Sequence, residues 1–314
     1  MALALVLTAC TTLQLKMGSK IDLAKMPATA MNAKLAKGPA LAPGDRSSLI
    51  VTLQDAKGKT ETTESRVRWS DLQVASSIVA VNQKGIVTLS RDPRISEGKT
   101  GHITITVPSH PEMRADLDVP FRYDLAFTAN FSGPNGTDGM SGTDGMSGTS
   151  GSSGSIDPNN PSPGGDGTSG SDGSDGQDGG PGGDAPAVNI RVALRTAAHP
   201  MLQVSVSARA LERFFLIDTQ GGSLMVRADG GQGGSGGHGG RGGRGGSGGS
   251  GTPSGSSGSD GHDGRSGWDG SQGRGGLITV TYDPAAAQYL GLIHVSSVNG
   301  PRPIFQQEPV ASLW

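Results

Sequence analysis

Three aspartates at three-residue spacing, Asp172, Asp175 and Asp178 in "GSDGSDGQDGG", are the first residues whose type and spacing suggest chemistry, here calcium binding. A calcium β-helix needs G-G-x-G-x-D followed by an apolar residue, and an EF-hand loop needs acidic residues at alternate positions. Neither spacing occurs. On an extended helix with three residues per turn the carboxyls would stand about 9 Å apart, too far to share one ion. They are read as solubilising charge. Six histidines (His102, His110, His199, His238, His262 and His294) are scattered, none at a metal-ligand spacing to Cys, Glu or another His. Serine is abundant, yet no G-x-S-x-G lies between strand and helix patterns. No Gly-Lys-Ser/Thr closes any glycine run as a phosphate loop would. No catalytic residue, metal ligand or cofactor site is expected.

The lone cysteine is more informative. With Cys10 alone no intramolecular disulfide forms. The chain opens "MALALVLTAC", an apolar run ending in small residues, which reads as a secretory signal over residues 1–9. "LTAC" (Leu7–Cys10) resembles the lipobox of bacterial lipoproteins. The resemblance implies that Cys10 is lipidated, becomes the mature N-terminus and holds the protein on a membrane. Thr11 follows, not the Asp that retains such proteins in the inner membrane, which implies the outer membrane. The apolar run is short and no Lys or Arg precedes it, so the start is expected upstream. No later stretch approaches the roughly 18 apolar residues of a spanning helix, and anchoring is expected by lipid alone. Residues 10–41, rich in Lys, Ala and Met, read as a tether, with a short amphipathic helix as the alternative.

The elements that follow fall into two kinds. From 42 to 128, "RSSLIVTLQD", "ESRVRWSD", "SIVAVNQ", "GIVTLS", "GHITITVP" and "RADLDVPFRY" are short Val/Ile/Thr-rich runs bounded by turn formers, the pattern of a β-sandwich. The stretch "RVRWSDLQVASSIVAVNQKGIVTLS" resembles bacterial immunoglobulin-like domains of the second type, at Trp69-Ser70, Val79-Ala80-Val81, Gly85 and Val87-Thr88. That resemblance implies a spacer or adhesion module; Trp69 itself is read as core packing.

From 129 to 283 glycine dominates, in four tracts of about 20 residues. Glycine stands at every third position from 133 to 154, 164 to 182 and 255 to 276, while residues 230–251 run as Gly-Gly-X. Collagen needs that period but also abundant proline, and the tracts contain only Pro134 and Pro181. A flexible linker suits the composition but does not call for a strict period, matched lengths or interleaved strands such as those of the β-insert 184–229. The preferred reading is a bundle of polyglycine-II-like helices whose glycine edges touch, resembling the glycine-rich bundles of some phage tail-tip adhesins and of springtail antifreeze proteins. The Gly-Gly-X tract presents two bare edges and is expected at the centre, with the other three peripheral. "GGRGGRGG" (239–246) lacks the Phe or Tyr that stacks on RNA bases, and a net charge of −2 supplies no cationic excess. Nucleic acid is therefore not expected, and Arg241 and Arg244 are read as solvent-facing.

A hydrophobic content of 33% with 4% aromatics argues against one large core. The expected protein is mainly β with little α-helix: an immunoglobulin-like sandwich, then the glycine-rich bundle with inserted strands, then a β or irregular segment at 284–314. The expected role is structural or adhesive at the cell surface, with a surface protein or polysaccharide as partner. The alternatives are a polysaccharide- or ice-binding face on the repeats, or an enzyme or ligand site in the β-insert or C-terminal segment.

Overall fold

Alternation of Ile, Val and Thr places one side chain in two inside a sheet pair, and the strands of the N-terminal half follow it. The computed structural model describes residues 20–195 and 199–314; Cys10 and its lipobox lie outside them. The strands are β1 (Ala28–Leu35), β2 (Arg46–Asp55), β3 (Thr60–Thr62), β4 (Gln73–Ser77), β5 (Val79–Val81), β6 (Ile86–Leu89), β7 (Gly101–Val107) and β8 (His110–Val119). They form a sheet ordered β1-β2-β6-β5, with β3 on β2, and a second sheet ordered β4-β7-β8. Leu49, Val51, Val87 and Leu89 from the first sheet and Ile103, Ile105 and Val119 from the second share one core.

Two sequence expectations change here. β1 lies within the stretch read as tether and pairs along β2 from Ala28 to Leu35. Its buried positions are Ala33 and Leu35, with Lys34 exposed between them and Ala30 exposed before them, so the alternation is faint in sequence. "ESRVRWSD" supplies no strand: it turns and ends in a short 3-10 helix, Trp69–Asp71. Trp69 is half-buried against the core, and its indole covers Gly85, where φ is +71° and a Cβ would strike the ring.

The second half has β9 (Ala126–Asn130), β10 (Val188–Arg195), β11 (Met201–Ala208), β12 (Leu211–Asp218), β13 (Ser223–Arg227), β14 (Ile278–Tyr282), β15 (Ile293–Ser296) and β16 (Ile304–Gln307). A five-stranded sheet, β12-β11-β10-β14-β16, faces a three-stranded one, β15-β13-β9. Val188, Ile190, Leu202, Val204 and Val280 meet Ala129, Leu224, Val226 and Ile293 across their common core. The segment 284–314, with its 3-10 stretch Pro284–Leu292, β15 and β16, completes this pair of sheets.

The glycine tracts grow out of these strands. The first (133–154) continues β9 and the second (164–182) leads into β10; the third (230–251) continues β13 and the fourth (255–276) leads into β14. β9 runs parallel to β13, with Asn130 opposite Arg227, 97 residues away. Within the tracts Asn135 meets Gln232, again 97 residues away. β10 runs parallel to β14, with Val188 opposite Ile278, 90 residues away, and Asp166 meets Ser256 at the same separation. The strand register thus runs on into the tracts.

Candidate functional site: the faces of the glycine tracts

An extended glycine tract cannot pair its backbone internally, so every buried N–H must find a partner elsewhere. Here the partners are the other tracts. Every third amide of the first tract, Gly133 to Gly154, donates to a carbonyl of the segment Asp229–Ser250, at 2.6–2.9 Å. The second tract donates with one register to the fourth, as Gly173 to His262 at 2.9 Å, and with the next to the first, as Ser174 to Thr143 at 2.9 Å. The third donates to the second, as Gly240 to Ser174, and the fourth to the third, as Gly264 to Gly240. The second and third tracts each bond to all three others, whereas no backbone bond joins the first to the fourth. The Gly-Gly-X tract is therefore central as expected, but the second tract, strictly Gly-X-Y, shares the centre.

The aspartates have a role that the solubilising reading missed. In each parallel pair an Asp-Gly dipeptide grips one residue of its neighbour at both ends of the peptide. Gly173 N–H donates to the His262 carbonyl while Asp172 Oδ1 accepts the His262 N–H at 2.7 Å. Asp175-Gly176 holds Arg265 in the same way, and Asp178-Gly179 holds Trp268. Between the first and third tracts, Asp138-Gly139 holds Ser235 and Asp144-Gly145 holds Arg241. From the fourth tract Asp260, Asp263 and Asp269 accept the N–H groups of Gly245, Gly242 and Gly236, at 2.7–2.9 Å. The recurrent Asp-Gly pair was visible in the sequence, but its meaning depends on which tract lies alongside.

With glycines inward and these acceptors at the seams, the remaining side chains form distinct faces. Along the seam of the first and second tracts, Thr137, Met140, Thr143, Met146 and Thr149 stand opposite Gly180, Gln177, Ser174, Ser171 and Thr168. Oγ–Oγ contacts of 3.1 Å link Thr143 to Ser174 and Thr149 to Thr168. None of these ten residues is charged, since Asp138 and Asp144 between them in sequence turn to the third tract, and Met140 and Met146 are 71% and 81% exposed. The seam of the second and fourth tracts is charged instead, with the Asp row facing His262, Arg265 and Arg274, and Trp268 projecting at 82% exposure. Both tract reversals, 155–163 and 252–254, lie together at the end away from the strands, where Thr252 N–H donates to Ser162 O at 2.9 Å. Ile156 is exposed there.

Elsewhere one group on β7 and β8 has the outline of a nucleophilic triad. Thr104 Oγ1 lies 3.3 Å from His102 Nε2, and His102 Nδ1 lies 2.8 Å from Asp118 Oδ1. The order hydroxyl, imidazole, carboxylate is that of a triad. However, Thr104 gives its proton to Asp116 Oδ1 at 2.7 Å, and Arg114 holds that carboxylate through two bonds. The bond to Asp118, with Asp116 adding to it, raises the His102 pKa. Arg114 and Thr104 hold the Asp116 carboxyl far below the usual range. The group is a cross-strand ionic network on the open face of β7 and β8.

The other histidines stay apart. His199 Nε2 lies 2.8 Å from Asp218, and His110 Nε2 lies 2.7 Å from Leu23 O. Among the described residues no three His, Cys, Asp or Glu side chains gather as a metal site would require, and no helix is long and apolar enough to cross a membrane. No protein-family model matches the chain, and no curated protein matches it.

Proposed function

We propose that this chain is an exported bacterial lipoprotein with a structural and adhesive role at the outer membrane. Cys10 carries the lipid, the first pair of sheets is an immunoglobulin-like stalk, and the four glycine tracts form a polyglycine-II-like bundle. The observation that carries the reading is the network of inter-tract backbone bonds at three-residue intervals. A tract with three residues per turn and about 3.1 Å rise extends roughly 68 Å over 22 residues. Such a rod holds its outward side chains on a fixed lattice, so Met140, Met146 and Trp268 remain presented to solvent where a flexible chain would let them collapse. On this reading the Met side chains of one face act together as a contact surface, as contiguous exposed apolar patches do.

The experiment has two arms. In cells, a palmitate analogue should label the wild type and not Cys10→Ser, which should leave the membrane fraction. With purified protein, hydrogen exchange over 130–276 should show protected glycine amides, with loss of cell or surface adhesion in Met140→Asp/Met146→Asp. Uniformly fast exchange would remove the rod, and unchanged adhesion would remove the role of this face.

A second reading rests on the same uncharged seam. Thr and Met alternate there at steps of about 9 Å along the first tract, a spacing suited to a regular neutral polymer. Retention on an uncharged polysaccharide matrix, lost in the Met variants and indifferent to salt, favours polysaccharide over a protein partner.

A further inference from the structure

A cavity of about 440 Å³ opens where the two halves of the molecule meet. Its walls come from both sides: Pro43, Gly44 and Arg91 from the first pair of sheets, and Phe127, Arg213 and Phe215 from the second. We propose that this cleft binds a small amphiphilic anion, one carboxylate, sulfate or sulfonate group on an apolar ring or chain.

The charge of the walls argues for an anion. Of the carboxylates around the cleft, Asp92 is held by Arg94 through bonds of 2.7–3.0 Å, and Asp45 accepts the Ala42 amide at 3.0 Å. Glu212 stands with Arg213 at the rim of an adjoining hollow. Among the described residues neither Arg91 nor Arg213 has a carboxylate within ion-pair distance. Arg213 lies instead with its guanidinium 5.1 Å from the centre of the Phe131 ring. Two guanidiniums outside any ion pair outnumber Asp45, the one carboxylate that lines the cleft, and favour a group that takes paired N–H···O bonds.

The apolar walls argue for the body of the ligand. Phe127 and Phe215 stack at 6.1 Å between centroids, tilted by 53°, and Pro43 and Pro93 add non-polar surface opposite. Size and position also fit, since ligand clefts of about 300–1,000 Å³ recur at domain interfaces with few polar groups amid apolar walls. The loop has a built feature as well. Gly44, at φ +89°, leaves room for the Arg91 side chain, whose Cγ would lie 3.0 Å from any Cβ there. A Cβ there would crowd Arg91, and at that φ it would also strain the loop.

The test uses the full chain and 1-naphthalenesulfonate, with neutral 1-naphthalenemethanol as control, followed by calorimetry. One-to-one saturable binding is expected, weakened at least tenfold in Arg213→Gln and in Arg91→Gln, the latter at unchanged melting temperature. The alcohol should bind at least tenfold more weakly and ignore both substitutions. Because Arg213 also touches Phe131 and its loss can disturb folding, Arg91→Gln by itself keeps the proposal open to refutation. Affinity within twofold of wild type in Arg91→Gln, equal binding of the alcohol, or several equivalent sites per chain would each overturn it.

Discussion

At the residue scale, glycine every third position is imposed by backbone contact. A Cβ on Gly236 would run into the Gly267 carbonyl, and one on Gly242 into that of Gly261. Overpacking a side-chain core costs about 1–3 kcal/mol per site, and here the obstacle is backbone that its own hydrogen bonds hold in place. Gly236→Val and Gly242→Val should each lose stability at the top of that range. Ser174 points outward and its Oγ accepts the Thr143 N–H at 2.7 Å, so Ser174→Val should cost only about 0.5–1 kcal/mol. Calorimetric melting decides this, and equal losses at the three sites would refute it.

The Asp-Gly grip makes its own prediction. Asn135 Oδ1 accepts the Gln232 N–H at 3.0 Å, so an amide oxygen does what Asp172 or Asp175 does. Asp172→Asn and Asp175→Asn should therefore be nearly neutral. The Ala variants should each lose about 0.5 kcal/mol, at the low end because water reaches these exposed amides. Faster exchange confined to the amides of His262 and Arg265 in the Ala variants would locate the loss; unchanged exchange there would contradict the grip.

At the element scale, the seam between strands and tracts is built around Asp229. It is buried and accepts Ser296 Oγ at 2.6 Å, the Val298 N–H at 2.8 Å and Arg227 Nε at 2.8 Å. Burial works to raise its pKa, but those three donors together hold it below 3.8. A lowered folded pKa contributes stability that is present above the unfolded value and lost as pH falls through the folded one. The wild-type melting temperature should thus decline below about pH 4, the ordinary range of an aspartate, and less steeply in Asp229→Asn. Asp229→Ala leaves buried donors unpaired and should cost about 1–3 kcal/mol at neutral pH. Parallel pH profiles for wild type and Asp229→Asn would refute this account. The strand register entering the tracts depends on the same seam, because β9 with β13 and β10 with β14 pass through it.

At the scale of the whole molecule, the two halves are tied by the C-terminus. The Trp314 indole donates to Glu97, which also pairs with Arg195. Arg94 lies 3.8 Å from the centre of the Phe214 ring, and Trp314 meets that ring edge-on at 5.7 Å. One aromatic cluster thus joins the first pair of sheets to the second. Trp314→Ala should uncouple them, giving two melting transitions where the wild type shows one and a larger radius of gyration by solution scattering. A single transition at unchanged radius would show that the cleft contacts alone suffice.

Much of this was legible in one dimension. Alternation at Ile103–Val107 marked β7, an apolar run bounded by turn formers marked β2, and the three-residue period marked the tracts, because both periods follow directly from backbone geometry. β1 was hidden because Ala on both its faces blurs the alternation, and the Asp rows looked like surface charge because their partners are 90 to 97 residues away. The sequence alone determined that glycine edges must touch something and that outward positions would be Thr, Met, Asp, Ser and Arg. It did not determine which tracts touch or in what register, since a three-residue repeat looks almost the same after a slide of three. Only the tertiary structure decided that: the parallel pairs β9·β13 and β10·β14 fix one register each, and the packing of their two sheets sets the order of the four tracts.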